Sequence, residues 1–121
     1  ASRVFEKTNQ PEGNTLLEQI NRQLNELSNR GQAAARAGDL AGAAELHTQA
    51  AEQAPNIRNL IEAANSLYLL MDRRGWDATL AASAHDYLER AQRKDRKHPK
   101  VLATRQLAHS VARKYGIDIS A

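Results

Sequence analysis

Between Gly31 and Asn56 the chain spaces its small and turn-forming residues as a helix hairpin requires. Gly31, Gly38, Ala43, Ala50 and Pro55 follow one another at intervals of seven, five, seven and five. Seven residues are close to two helical turns, so Ala43 and Ala50 share one face of a helix. Small side chains on such a face let a neighbouring helix approach to the short end of the usual range, about 8–10 Å between axes. Gly38 supplies the backbone freedom of a tight turn, and Asp39 directly after it is a good N-cap. Pro55 stops the second helix because it has no amide hydrogen to donate. Two antiparallel helices joined by a short turn are the expectation.

The same signals recur along the rest of the chain. After the turn-forming Pro11-Glu12-Gly13, Asn14 or Thr15 is expected to cap the first helix, with Glu18 completing a capping box from Thr15. Leu16, Leu17, Ile20, Leu24, Leu27, Gly31, Ala34 and Ala35 then recur at three and four residues, one long helical stripe. A third helix begins near Asn56, carries Leu60, Ala64, Leu67 and Met71 and ends at Gly75. Trp76 occupies the following turn, Asp77 caps a fourth helix that "RKDRKHP" terminates, and Pro99 opens a fifth that Gly116 closes. Ile117 and Ile119 in the tail can pack back on it. No segment alternates with a period of two, so no strand is expected. Residues 1–13 are expected to form a flexible N-terminal segment or linker, and 14–121 a single helical domain.

Composition fits this picture. A length of 121 residues suits one domain, and with aromatics at 4% the core must come from Leu, Ile, Val and Ala in close contact. The chain has no cysteine, which excludes disulfides, thiol catalysis and Cys-ligated metal, and makes a cytoplasmic location the default expectation. No apolar run approaches the roughly 18 residues of a membrane span. The net charge is +3, but it is unevenly distributed: acidic residues outnumber basic ones up to Glu89, and basic residues dominate from Arg90 onward.

The spacing resembles the tetratricopeptide repeat. That helix pair has a small residue at the crossing in its first helix, Gly-Asp at the turn, two alanines seven apart in its second helix and Pro-Asn at the exit. Leu27, Gly31, Gly38, Asp39, Ala43, Ala50 and Pro55 occupy matching positions, and the match runs from Leu24 to Ile57. Three positions depart from the pattern. Arg30 stands where a large apolar residue is preferred, Ala34 replaces a tyrosine, and His47 replaces an aromatic residue. A second unit has Ile61 and Tyr68 in place, but 44 residues separate Pro55 from Pro99, against 34 in the family repeat. The surplus is expected in longer helices or in the "MDRRGWDAT" turn, and the fifth helix is expected to cap the stack. The resemblance implies an all-α, short right-handed superhelix of about five helices, acting as a scaffold for protein contacts. The closing stretch "HPKVLATRQLAHSVARKYGI" is also similar to C-terminal regions of bacterial response regulators in two-component signal transduction.

Candidate sites follow from chemistry and from the repeat. Serines 28, 66, 83 and 110 lack the glycine elbow or adjacent base that activates a nucleophile, no phosphate-cradling glycine loop occurs, and no HExxH pattern is found. The chain is therefore read as no enzyme, with no cofactor and no metal. His47 is read as filling the aromatic slot of the repeat, and Trp76 as plugging the end of the stack or anchoring a partner. Polar residues on the first helix of each pair line the concave face of such repeats. Here they are Asn25, Asn29, Gln32, Arg36, Asn59, Glu62 and Ser66, with Gln106 and Arg113 on the fifth helix. Their amides can pair with an extended backbone, and Arg36 with a carboxylate. The lysines of the family's carboxylate clamp are missing from this face, so that specificity does not carry over. Arg90, Arg93, Lys94, Arg96, Lys97 and Lys100 form a basic patch. It can either contact phosphates or simply offset the negative end of a helix.

The reading that results is a binding module for a protein or peptide segment, or for a sister domain, within a larger bacterial regulatory protein. A nucleic-acid-binding output domain is the competing one, and membrane association is not expected.

Overall fold

The computed structural model describes residues 12–119. Five α-helices follow in order: α1 (Glu12–Arg36), α2 (Leu40–Gln53), α3 (Ile57–Arg74), α4 (Ala78–Lys94) and α5 (Pro99–Lys114). Among the described residues there is no strand. Of the expected N-terminal segment, residues 1–11 lie outside the described part, and Glu12 and Gly13 already belong to α1. Thr15 is thus inside the helix and does not cap it.

The starts of α2, α3 and α4 are set by the expected residues. Asp39 accepts from Gly42 N at 2.9 Å, Asn56 from Asn59 N at 2.8 Å, and Asp77 from Thr79 N and Leu80 N at 2.9 and 3.0 Å. His98 caps α5 through Nδ1, which accepts from Lys100 N at 3.1 Å, and Pro99 fills the first turn where no donor is missed. At the end of α1, Gly38 at φ 86° allows Asp39 N to reach Ala34 O and Gly38 N to reach Ala35 O. Gly116 at φ 72° repeats the arrangement after α5, with Ile117 N on Ala112 O and Gly116 N on Arg113 O. Both are Schellman closures, in which glycine's left-handed backbone satisfies the last carbonyls.

Helix α3 is the centre of the fold, packed against α2, α4 and α5. Leu60, Ala63, Ala64, Tyr68 and Met71 are fully enclosed. Around them Ala50, Ala51, Ala84 and Ala91 are also fully buried, so the helices meet through methyl groups and nearly bare backbone. Ala84, Leu88 and Ala91 reproduce on α4 the four-then-three spacing of Ala43, His47 and Ala50 on α2. The surplus residues of the second unit lie in the helices: the link from α3 to α4 is only Gly75 to Asp77, whereas α3 has 18 residues and α4 has 17. The far end of the lengthened α3 is tied to α5. Asp72 O accepts from Lys114 Nζ at 2.9 Å and from the Tyr115 hydroxyl at 2.7 Å. Those bonds satisfy a carbonyl that the helix end leaves open. Ile119 packs against the core as the tail reading expects, and Ile117 remains exposed.

The stripe on α1 is helical as expected but is not buried along its whole length: Leu16 and Leu17 are each 58% exposed and Ile20 is 45% exposed. At 1.5 Å per residue α1 spans about 37 Å and α2 about 21 Å, so the start of α1 runs past its partner.

Candidate functional site

Where α3 faces α1 and α2, Glu62 is met by side chains from both of those helices. Its Oε1 accepts from Ser28 Oγ of α1 at 2.9 Å, and its Oε2 from Gln32 Nε2 at 3.1 Å. From α2, His47 Nδ1 stands 3.5 Å from Oε1, without the alignment of a hydrogen bond, and it has no other hydrogen-bond partner. Burial alone pushes the Glu62 carboxyl up, but the groups around it, His47, Ser28 and Gln32, outweigh burial and hold it below its ordinary value. Glu62 is an anion at neutral pH.

His47 is 5% exposed and packs against Gly31. A β-carbon at Gly31 would lie 2.7 Å from the imidazole Nε2, so the bare glycine is what lets the ring seat. Serine, histidine and glutamate meet here, with the Ser28 hydroxyl donating to the Glu62 carboxylate rather than to the histidine.

Beside this cluster opens a pocket of about 350 Å³, at the lower end of ligand-pocket sizes. Gln32, Arg36, Glu62 and Ser66 line it, four of the residues expected in a groove. Ala35, Leu40, Ala43 and Leu69 make its apolar wall. The remaining expected groove residues lie elsewhere. Asn25 and Asn29 line a separate depression near the exposed end of α1, where Asn25 Oδ1 accepts from Arg58 at 3.4 Å. Gln106 and Arg113 are exposed on α5. Asn59 corrects the expectation outright: it is 1% exposed, and its Nδ2 donates to Ala54 O at 2.9 Å and Ala50 O at 3.4 Å. It serves the open end of α2 and has no free amide for a ligand. Ser66 is buried too and donates to Ala63 O at 2.9 Å, while remaining on the pocket wall.

The basic patch divides in two. Arg90 reaches Asp86 at 3.4 Å and covers the Tyr87 ring at 5.6 Å, and Arg93 reaches Glu89 at 3.8 Å; both are pairs one turn apart on α4. Arg93 and Lys94 occupy the last turn, where cations offset the helix dipole. Arg96, Lys97 and Lys100 are exposed around the α4–α5 link.

A second cluster escaped the sequence reading. The buried Tyr68 hydroxyl is hydrogen-bonded to His85 Nδ1, and the Trp76 ring lies 6.3 Å from His85, centroid to centroid. Trp76 is half-buried there against the core. Burial, then the nearby His109, lowers the His85 pKa, with Glu89 opposing. Burial raises that of Tyr68. Tyr68, His85, Glu89 and His109 border a cleft of about 480 Å³ between α4 and α5, together with Arg105 and Ile119. His85 and Glu89, one turn apart, were the available sequence signal. Among the described residues no group of three or more His, Asp or Glu side chains is arranged to hold a metal ion, and no helix is long and apolar enough to cross a membrane.

No protein family, curated protein or solved structure matches the chain.

Proposed function

We propose that the chain is a tetratricopeptide-like interaction module that binds a protein segment, or a sister domain, in the groove between α1 and α3. A role as the regulatory part of a larger bacterial signalling protein in the cytoplasm accords with the closing stretch of α5. The observation that carries the reading is the meeting of Gln32, Arg36, Glu62 and Ser66, from two helices, on one pocket with an apolar wall. Polar groups at fixed positions over an apolar floor are the usual makeup of a recognition site. Selection of short random peptides against the folded protein tests it. Enriched sequences whose binding perturbs the backbone amides of Gln32 and Glu62 support it; no enrichment, or perturbation confined to another face, defeats it.

A second reading, nucleic-acid binding, draws on Arg96, Lys97 and Lys100, which form no ion pair among the described residues. It requires retardation of DNA or RNA that weakens steeply with salt and disappears on charge reversal at Lys97 and Lys100. The pairing of Arg90 and Arg93 on their own helix weighs against it.

A further inference from the structure

We infer that the α1–α3 pocket takes a lysine side chain of the bound segment, its ammonium group held by the Glu62 carboxylate. The inference rests on the interaction-module reading and specifies what that groove selects.

A lysine offers a four-carbon apolar stem and a compact charge with three donors. The pocket presents the matching surfaces. Leu40, Leu69, Ala35 and Ala43 form a wall for the stem, and Glu62 is the only acid lining the pocket. Its carboxylate has about four lone-pair positions, of which Ser28 and Gln32 occupy two. His47 Nδ1 is buried 3.5 Å from Glu62 Oε1 and leaves the carboxylate's other lone-pair positions open to an ammonium. Ser66 Oγ already donates to Ala63 O, so its lone pairs are left to accept a further N–H.

The geometry also separates lysine from its alternatives. Arginine pairs best with a carboxylate through both oxygens at once, and Gln32 already holds Oε2. An acidic side chain meets Glu62 unfavourably, although Arg36 at the exposed edge of the pocket can take a carbonyl or carboxylate of the segment's own backbone.

The probes are blocked alanine pentapeptides that differ only at the central residue: lysine, norleucine, arginine or glutamate. Each is titrated into the folded protein while backbone amide shifts are followed. The lysine peptide is expected to shift Gln32, Glu62 and Leu69 amides and to bind about tenfold more tightly than the norleucine peptide, the worth of one charge-assisted hydrogen bond. Glu62→Gln, which keeps the shape and can still meet Ser28, is expected to erase that difference. Equal binding of lysine and norleucine overturns the inference. So do a tighter glutamate peptide, an undiminished lysine preference in Glu62→Gln, and no shift from the lysine peptide at millimolar concentration. The comparison in the wild-type protein decides the matter even where the variant fails to fold. Peptides that occupy the groove whatever their central residue overturn the lysine assignment and leave the interaction module standing.

Discussion

The Tyr87 hydroxyl donates to Glu52 Oε2 at 2.8 Å, tying α4 to α2 alongside the α3 core. Burial, then the Glu52 carboxylate that accepts its proton, pushes the Tyr87 pKa up to about 12. The folded protein therefore keeps a proton that the unfolded chain releases near pH 10, so this contribution is complete below about pH 10 and is lost as pH rises toward 12. Tyr87→Phe is expected to cost about 1 kcal/mol at neutral pH and to flatten part of the alkaline decline. Denaturant melts of both proteins across that range check it.

Gly31 and His47 are predicted to be strongly coupled. Gly31→Ala forces its new methyl group against the buried His47 ring, at a cost of about 1–3 kcal/mol. With His47→Ala in the background the clash disappears, and the better helix propensity of alanine, worth about 0.5–1 kcal/mol, is recovered. A double-mutant cycle by chemical denaturation should give a coupling of at least about 1 kcal/mol. Additive effects would mean that the two residues do not meet as described.

Asn59→Ala is expected to destabilise the fold by about 1 kcal/mol, because it removes the buried side-chain donor that Ala54 O and Ala50 O accept from in addition to the Asn56 and Ala54 amides. Thermal unfolding measures the loss. Asn29→Ala, on the exposed side of α1, should change stability by less than about 0.5 kcal/mol.

Acid is predicted to weaken the protein first through His85. Its folded-state pKa is lowered, so its contribution is present above the ordinary imidazole value of about 6.5 and declines as pH falls below it. Tyr68 and Trp76 from one side, Glu89 on its own helix and His109 from α5 set that response. Glu62, also lowered, adds a further loss below about pH 4.5. His85→Gln should remove the upper part of the decline and leave the lower part, as followed by stability against pH.

Local chemistry made most of the helix boundaries legible. Gly38-Asp39, Pro55-Asn56, Gly75, Asp77, Pro99 and Gly116 stop or start helices through backbone freedom, missing donors and capping oxygens, all properties of a few adjacent residues. The groove was half legible, since helical spacing places Gln32 with Arg36, and Glu62 with Ser66, on common faces. Asn59 was misread because its partners are the carbonyls at the end of the preceding helix, and periodicity says nothing about where those lie. The exposure of Leu16, Leu17 and Ile20 was not legible, because an apolar stripe announces a need for cover without showing how long the cover is. Tyr68, His85 and His109 come together over 17 and 24 residues of sequence, a separation that no local pattern encodes.

The overhang of α1 has a mechanical consequence. The exposed leucines and the groove residues Gln32 and Arg36 belong to one unbroken helix, held by its neighbours only toward its C-terminal end. Leu16, Leu17 and the groove wall therefore form one rigid rod, and a tilt of α1 about its packed part would displace both together.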